Sequence, residues 1–246
     1  MSGFDMPVAM WVWDDSRKRD VFPSLPEEIG AKLPMGSNGA SPLLDWLLEP
    51  RHLGRQKEHL RRYFTTYSGR YFESFIREVR SSRFTPWDIL AIEALSVSVP
   101  SKTAYWLLQP DRSRDSLLDR LQSQEIVNST LWSCDVAQLR RGGTLSDLYD
   151  LLRKQEGLGV VTTSKLLAAK FPAVVPIRDS RVEDLIGMTH SLTWWEPIRQ
   201  LFEFSGTKLH DHLAGLPIPD DVGEVSVLRR LDVILWMESR ARDQLG

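Results

Sequence analysis

Beyond residue 41, apolar positions recur every three or four residues over most of the chain, the spacing of helices that each bury one stripe. The stretches 42–49, 53–65, 69–80, 101–108, 115–123, 193–204 and 226–242 read this way. In the last of them Val227, Leu228, Leu231, Ile234, Leu235 and Met237 keep to one stripe. Two helix starts carry caps. Thr85-Pro86-Trp87-Asp88 sets a hydroxyl, a proline at the first helical position and an acid at the third ahead of Ile89, Leu90, Ile92 and Leu95. Thr144-Leu145-Ser146-Asp147 repeats the hydroxyl-and-acid spacing and predicts a helix over 144–155, with a second apolar helix from Val160 to Lys170. Residues 1–40 differ. Met6 to Trp13 is apolar and reads as a short strand or as an arm on the core, while Phe22 to Ser41 is rich in Pro, Gly and Ser and reads as an irregular connection. No repeat period is visible. The pattern predicts a mainly α fold of about ten helices.

The 246 residues are 42% hydrophobic and 26% charged, which excludes a disordered chain, a collagen and a coiled-coil rod. Cys134, the one cysteine, rules out an internal disulfide and a four-cysteine zinc or iron–sulfur site; it reads as a small buried side chain in a protein of a reducing compartment. No apolar run approaches the ~18–20 residues needed to cross a bilayer, and the first residues lack a basic segment followed by an apolar one. The expectation is a cytoplasmic monomer. His210-Asp211-His212 has no further ligand at helical spacing, so it reads as structural or surface and no metal is implied.

The net charge of −2, from 31 basic and 33 acidic residues, argues against nucleic acid as a partner. Its distribution argues the other way. Arg51, Arg55, Lys57, Arg61, Arg62, Arg70, Arg77, Arg80 and Arg83 face only Glu58, Glu73 and Glu78 within the same stretch, a local excess of +6. Such a run is either a phosphate-binding patch or a solvated helix face. Tyr63 to Phe72 interleaves aromatics with arginines, and either lines a DNA groove or a base pocket or forms an inter-helix turn that packs inward.

The segment from Thr144 to Asp184 carries the most information. Glu156-Gly157-Leu158-Gly159 turns between the two predicted helices, and the second helix then aims its unpaired N–H groups and positive dipole end outward, a surface suited to phosphate. Most Gly-X-Gly turns between helices only turn. After that helix, Pro176-Ile177-Arg178 stops regular structure, and Asp179 with Ser180 caps a new helix near Arg181.

Here the chain resembles the helix–hairpin–helix DNA glycosylase superfamily, whose hairpin reads Leu-Pro-Gly-Val-Gly-x-x-Thr-Ala and whose catalytic aspartate follows about twenty residues after the second glycine. Gly157-Leu158-Gly159-Val160-Val161-Thr162-Thr163 takes the hairpin positions, and twenty residues separate Gly159 from Asp179. The resemblance implies two helical lobes, 85–176 and 41–84 with 177–246, with DNA across the cleft between them. It implies backbone contacts at Gly157, Gly159, Val161 and Thr162, joined by Arg61, Arg62 and Arg70. Departures are clear. Val161 stands where bifunctional members carry the Schiff-base lysine, so lyase chemistry is not expected, Lys165 one turn on being the residue that could replace it. The cysteine cluster of some members is missing, so no cofactor is implied, and Ser180-Arg181-Val182 follows the aspartate in place of the usual tripeptides.

The implied activity is that of a monofunctional glycosylase acting on double-stranded DNA. Asp179 stabilises the sugar cation and orients water after a damaged or modified base is flipped out. Candidates for the base pocket are Tyr67, Trp106, Trp132 and Lys165, with Trp87, Trp194 and Trp195 as further aromatics. Two rivals stand beside this reading. One is a DNA-binding module in which Asp179 only caps a helix; the other is a helical protein with no nucleic-acid role. The residues do not choose between an alkylated base and a bulky modified base such as those of phage DNA, nor between repair and defence.

Overall fold

The computed structural model describes residues 33, 41–78, 82–124, 126–188 and 194–244. Met6 to Trp13, most of the connection that follows, and Arg80 lie outside them. Among the described residues the fold is all-α, with no strand. The helices are α1 Pro42–Leu48, α2 Leu53–Thr66, α3 Tyr71–Glu78, α4 Pro86–Ala94, α5 Ser101–Leu108, α6 Arg112–Ser123 and α7 Val136–Leu139. They continue as α8 Thr144–Arg153, α9 Val160–Lys170, α10 Ser180–Ile186, α11 Trp195–Ser205, α12 Thr207–Ala214 and α13 Val227–Asp243.

The capped starts form for the expected reasons, with one correction. Asp88 accepts from the Thr85 N–H at 2.7 Å and the Thr85 hydroxyl at 2.9 Å, closing the first turn of α4. At α8, however, Gly143 is the cap and Thr144 the first helical residue. A tight turn after α7, closed by Gly143 N–H to the Arg140 carbonyl at 2.8 Å, moves the start by one position. Helix α6 begins at Arg112, three residues before the apolar pattern shows it, because the Asp111 carboxylate accepts from the Arg114 N–H at 2.9 Å. α7 and α12 were not predicted. α7 is a single turn, and α12 buries only Leu209 and Leu213, too few apolar positions to set a period.

A continuous hydrophobic core joins the helices. α9 lies at its centre, packed on α4 and α8, with Leu166 and Leu167 inaccessible to solvent; burying each such leucine contributes about 1.5–3 kcal/mol. Lys170 at the end of α9 pairs with Asp88 of α4 at 2.7 Å. α13 packs along α2 and α10. Its Glu238 meets Arg55 at 2.6 Å, His59 at 3.0 Å and Arg242 at 2.8 Å. Burial alone would raise that carboxyl, but the His59 hydrogen bond and the arginine charges hold it down to about 2.

These pairs also revise the basic run. Arg55 is taken by Glu238, Arg61 by Glu58 at 2.6 Å, Arg70 by Asp221 at 3.2 Å and Arg83 by Asp119 at 2.6 Å. Arg77 donates to the carbonyls of Glu73 and Val222. The excess counted along the chain is therefore only partly offset in space, because Glu238, Asp221 and Asp119 come from distant segments, while Glu58 already belongs to the stretch and Glu238 is shared with Arg242. No helix among the described residues is long and apolar enough to cross a membrane.

Candidate functional site

Pro176 keeps the chain extended as it leaves α9, and hydrogen bonds then fix where it runs. The Arg178 N–H donates to Ser164 Oγ on α9 at 2.9 Å, the Arg178 guanidinium to Glu183 at 2.6 Å, and the Trp194 indole N–H to the Ile177 carbonyl at 3.1 Å. Asp179 follows at once and caps α10, accepting from the Arg181 N–H at 3.0 Å. Ser164 thus holds the chain against α9 at Arg178, and Lys165 Nζ lies 3.7 Å from Asp179 Oδ2. The same ammonium donates to the Leu95 carbonyl at the end of α4, at 3.0 Å.

Asp179 and Lys165 line a pocket of ≈ 280 Å³, near the lower end of the range of about 300–1,000 Å³ typical of small-molecule sites. Its aromatic side is formed by Tyr63, Tyr67 and Trp236, where Tyr67 stacks on Tyr63 at 5.6 Å and meets Trp236 edge-on at 5.3 Å. Arg240 lies over both the Tyr67 ring, at 5.2 Å, and the Trp236 ring, at 5.1 Å. The charged side adds Asp232 and Arg229 from α13. Arg229 donates to Glu73 at 2.9 Å, to the Tyr63 hydroxyl at 2.7 Å, to the Gly69 carbonyl at 3.2 Å and to Asp232, between the rings of Tyr63 and Phe72.

The electrostatics follow from burial. Lys165, 7% exposed at its side chain, is pushed below the usual lysine value by desolvation, against the pull of Asp179. Asp232 is pushed up to about 6 by desolvation, and the like charge of Asp179 adds to this, against Arg229 and Lys165. Burial would lower Arg229, but Tyr63, Glu73 and Asp232 raise it instead, so it stays cationic. One Glu73 oxygen, Oε2, is buried without a hydrogen-bond partner. The site thus sets two carboxyls beside the buried cations Lys165 and Arg229 and the more exposed Arg181, facing an aromatic wall, an arrangement able to hold a planar ring and to stabilise or transfer charge at its edge.

Of the residues picked from the sequence, the fold brings Asp179, Lys165 and Tyr67 together. It does not bring Trp106 or Trp132 to them. Trp106 bonds Asp111 at 3.0 Å and packs under Arg114, while Trp132 stacks on Phe202 at 4.3 Å. Trp194 and Trp195 are buried, and Trp87 stacks on Phe75. Val161 does not line the pocket. Cys134 is buried and its thiol is raised by desolvation. His210 turns to Asp211 and His212 to Gln56.

Gly157, Gly159, Val161 and Thr162 occupy the turn between α8 and α9 and the first turn of α9. The two glycines differ. Gly157 has φ +76°, and a Cβ there would lie 2.4 Å from Pro100, so only glycine fits; Gly159 has ordinary backbone and open space around it. Arg61 and Arg62 lie on α2, and Arg70 lies on the short turn after it, over the Tyr71 ring.

Asp232, Trp236 and Arg229 were missed, and Tyr63 was named only within the aromatic stretch from Tyr63 to Phe72. The signal was present in α13, where Arg229, Asp232, Trp236 and Arg240 succeed one another at intervals of three and four, a polar row beside the apolar one.

The class these features define is an all-helical protein with a buried acid–lysine pocket. The chain belongs to DUF6308, a family of unknown function whose pattern matches residues 56–239. That span includes every pocket residue named above. No curated protein and no solved structure matches the chain.

Proposed function

We propose that this protein is a DNA glycosylase that hydrolyses the N-glycosidic bond of a damaged or modified base in double-stranded DNA, leaving an abasic site. The observation that carries the reading is Asp179, held at a helix start in a pocket that Tyr67 and Trp236 also line. Breaking the bond builds positive charge on the sugar, and a carboxylate fixed beneath it stabilises that charge and orients water. The flipped base then stacks on the aromatic side. In this reading α8, the Gly157–Gly159 turn and α9 act as a helix–hairpin–helix that grips backbone phosphate, and DNA runs between a lobe of residues 85–176 and one of 41–84 with 177–246.

The test is a panel of duplexes carrying alkylated, deaminated or bulky modified bases, read by mass spectrometry of the released base and by strand breakage after hot alkali. Release with an intact abasic strand supports hydrolysis; duplex binding without release from any member points to a binding module. A second reading is favoured by Lys165 beside Asp179 at 3.7 Å, where its amine would attack the sugar and form an imine. In the hydrolytic reading that amine stays engaged with Asp179 and the Leu95 carbonyl, and Val161 supplies none, so borohydride is expected to trap no protein–DNA adduct. A trapped band that disappears in Lys165→Ala would establish the second reading.

The hairpin's part is tested at Gly159. Gly159→Glu is expected to leave the melting temperature near that of the parent and to weaken binding to every duplex alike, since it sets a negative side chain in open space before the α9 N-terminus. Gly157→Ala should instead lose about 1–3 kcal/mol of stability from its left-handed backbone alone. Unchanged duplex affinity in Gly159→Glu removes the turn from the interface.

A further inference from the structure

Base release through Asp179 alone leaves the second carboxyl of the pocket without a task. Asp232 lines the same pocket as Asp179 and Lys165, and its side chain is 10% exposed. It is fixed from behind by Arg229, which is itself tied to Glu73, Tyr63 and the Gly69 carbonyl. A carboxyl held this rigidly beside a ligand-sized space is pre-organised for proton transfer. The charged and titratable groups around it are Arg229 on its own helix, Lys165 from α9, Asp179 from the start of α10, Tyr63 from α2 and Glu73 from α3. Burial, with Asp179 nearby, raises it to about 6 against Arg229 and Lys165. Two carboxyls whose surroundings differ in this way divide into an acid and a base.

We propose that Asp232 is a catalytic acid of this pocket, donating a proton to the departing base while Asp179 supports the sugar cation. The proposal rests on the glycosylase reading. The electron pair of the C1′–N bond leaves with the base, and the Asp232 proton settles on a base nitrogen, so that a neutral base departs. The oxygen of a water bonds to C1′, and the proton lost from that water passes to Asp179. Solvent then returns a proton to Asp232 and removes the one on Asp179, so water is the only reactant consumed besides the DNA.

An uncharged base needs that proton, and a base that already carries a positive charge does not. The probes are therefore duplexes with hypoxanthine, which is neutral, and with 7-methylguanine, which is cationic, compared in the parent and in Asp232→Asn under single turnover. Asparagine keeps an oxygen for Arg229. Hypoxanthine release is expected to fall by about 100-fold or more in the variant, with 7-methylguanine release little changed. In the parent, hypoxanthine release should decline as pH rises through about 6, where the Asp232 proton is lost, and that decline should be missing for 7-methylguanine. Equal losses on both duplexes would make Asp232 a support for the fold and overturn the proposal, as would unchanged hypoxanthine release. Carboxyl ¹³C NMR of parent against variant supplies a reading without substrate, and an Asp232 that titrates at an ordinary aspartate value overturns the proposal by itself. Release of neither base by the parent overturns the proposal, while the glycosylase reading falls only when no member of the full panel is released; release that ignores Asp232 removes the proposal alone.

Discussion

Asp179→Asn is expected to abolish base release, with a loss on the order of 10³-fold or more in the single-turnover rate. The substitution changes charge and little else. Asparagine caps helices as well as aspartate, and its side-chain oxygen can still accept from the Arg181 N–H, a bond of 3.0 Å in the parent. Helix α10, the melting temperature and duplex affinity should therefore hold. What disappears is the negative charge proposed to lie beneath the sugar, on a side chain that is 18% exposed. Asp232 should respond as well, because part of its raised pKa comes from the like charge of Asp179; its titration should move down in the variant. A variant that releases base at the parent rate would take Asp179 out of the chemistry.

Arg229→Met is expected to produce the largest loss of stability of any single change in the pocket. The guanidinium is buried and satisfies Glu73, Asp232, the Tyr63 hydroxyl and the Gly69 carbonyl together. Removing one partner of a buried pair costs about 3–5 kcal/mol, a fall in melting temperature on the order of 10 °C for a chain of this size. The penalty arises from carboxyls left buried without a counter-charge. Adding Glu73→Gln should therefore recover part of the loss, as Glu73 Oε2 already lacks a partner in the parent. Calorimetric melts of the two variants check both statements; a double variant no more stable than Arg229→Met would mean that lost packing against Tyr63 and Phe72 is the cause.

Local rules made parts of this site readable from sequence. The cap at Asp179, the stop at Pro176 and the turn at Gly157 each follow from the chemistry of a few adjacent residues, and they were found where expected. The placement of two aromatic candidates was not readable, for the opposite reason. Trp106 and Trp132 are the right residue types, but which way a ring points depends on how helices pack, and their partners Asp111, Arg114 and Phe202 decide it. The basic run shows the same limit: its charges were counted correctly, while the carboxylates that offset them, Asp119, Asp221 and Glu238, arrive from elsewhere in the chain. In α13 the apolar stripe is what the sequence displays, and the polar row beside it gains meaning only once packing sets Arg229, Asp232 and Trp236 against the pocket.

That row has a consequence for how the pocket can change. Arg229, Asp232 and Trp236 are carried on one continuous helix whose other side is locked into the core by Leu228, Leu231, Ile234 and Leu235. One wall of the chamber is therefore a single rod with fixed register, while the opposing groups come from the end of α4, from α9 and from the start of α10. Exchanging residues at intervals of three and four along this rod alters the shape and polarity offered to a ligand without rebuilding a loop. Inserting or deleting one residue in its first turn swings the remaining members by about 100° and dismantles the wall at a stroke. Relatives that act on different ligands would then differ by substitution along this helix, and would share its length between Ser226 and Trp236.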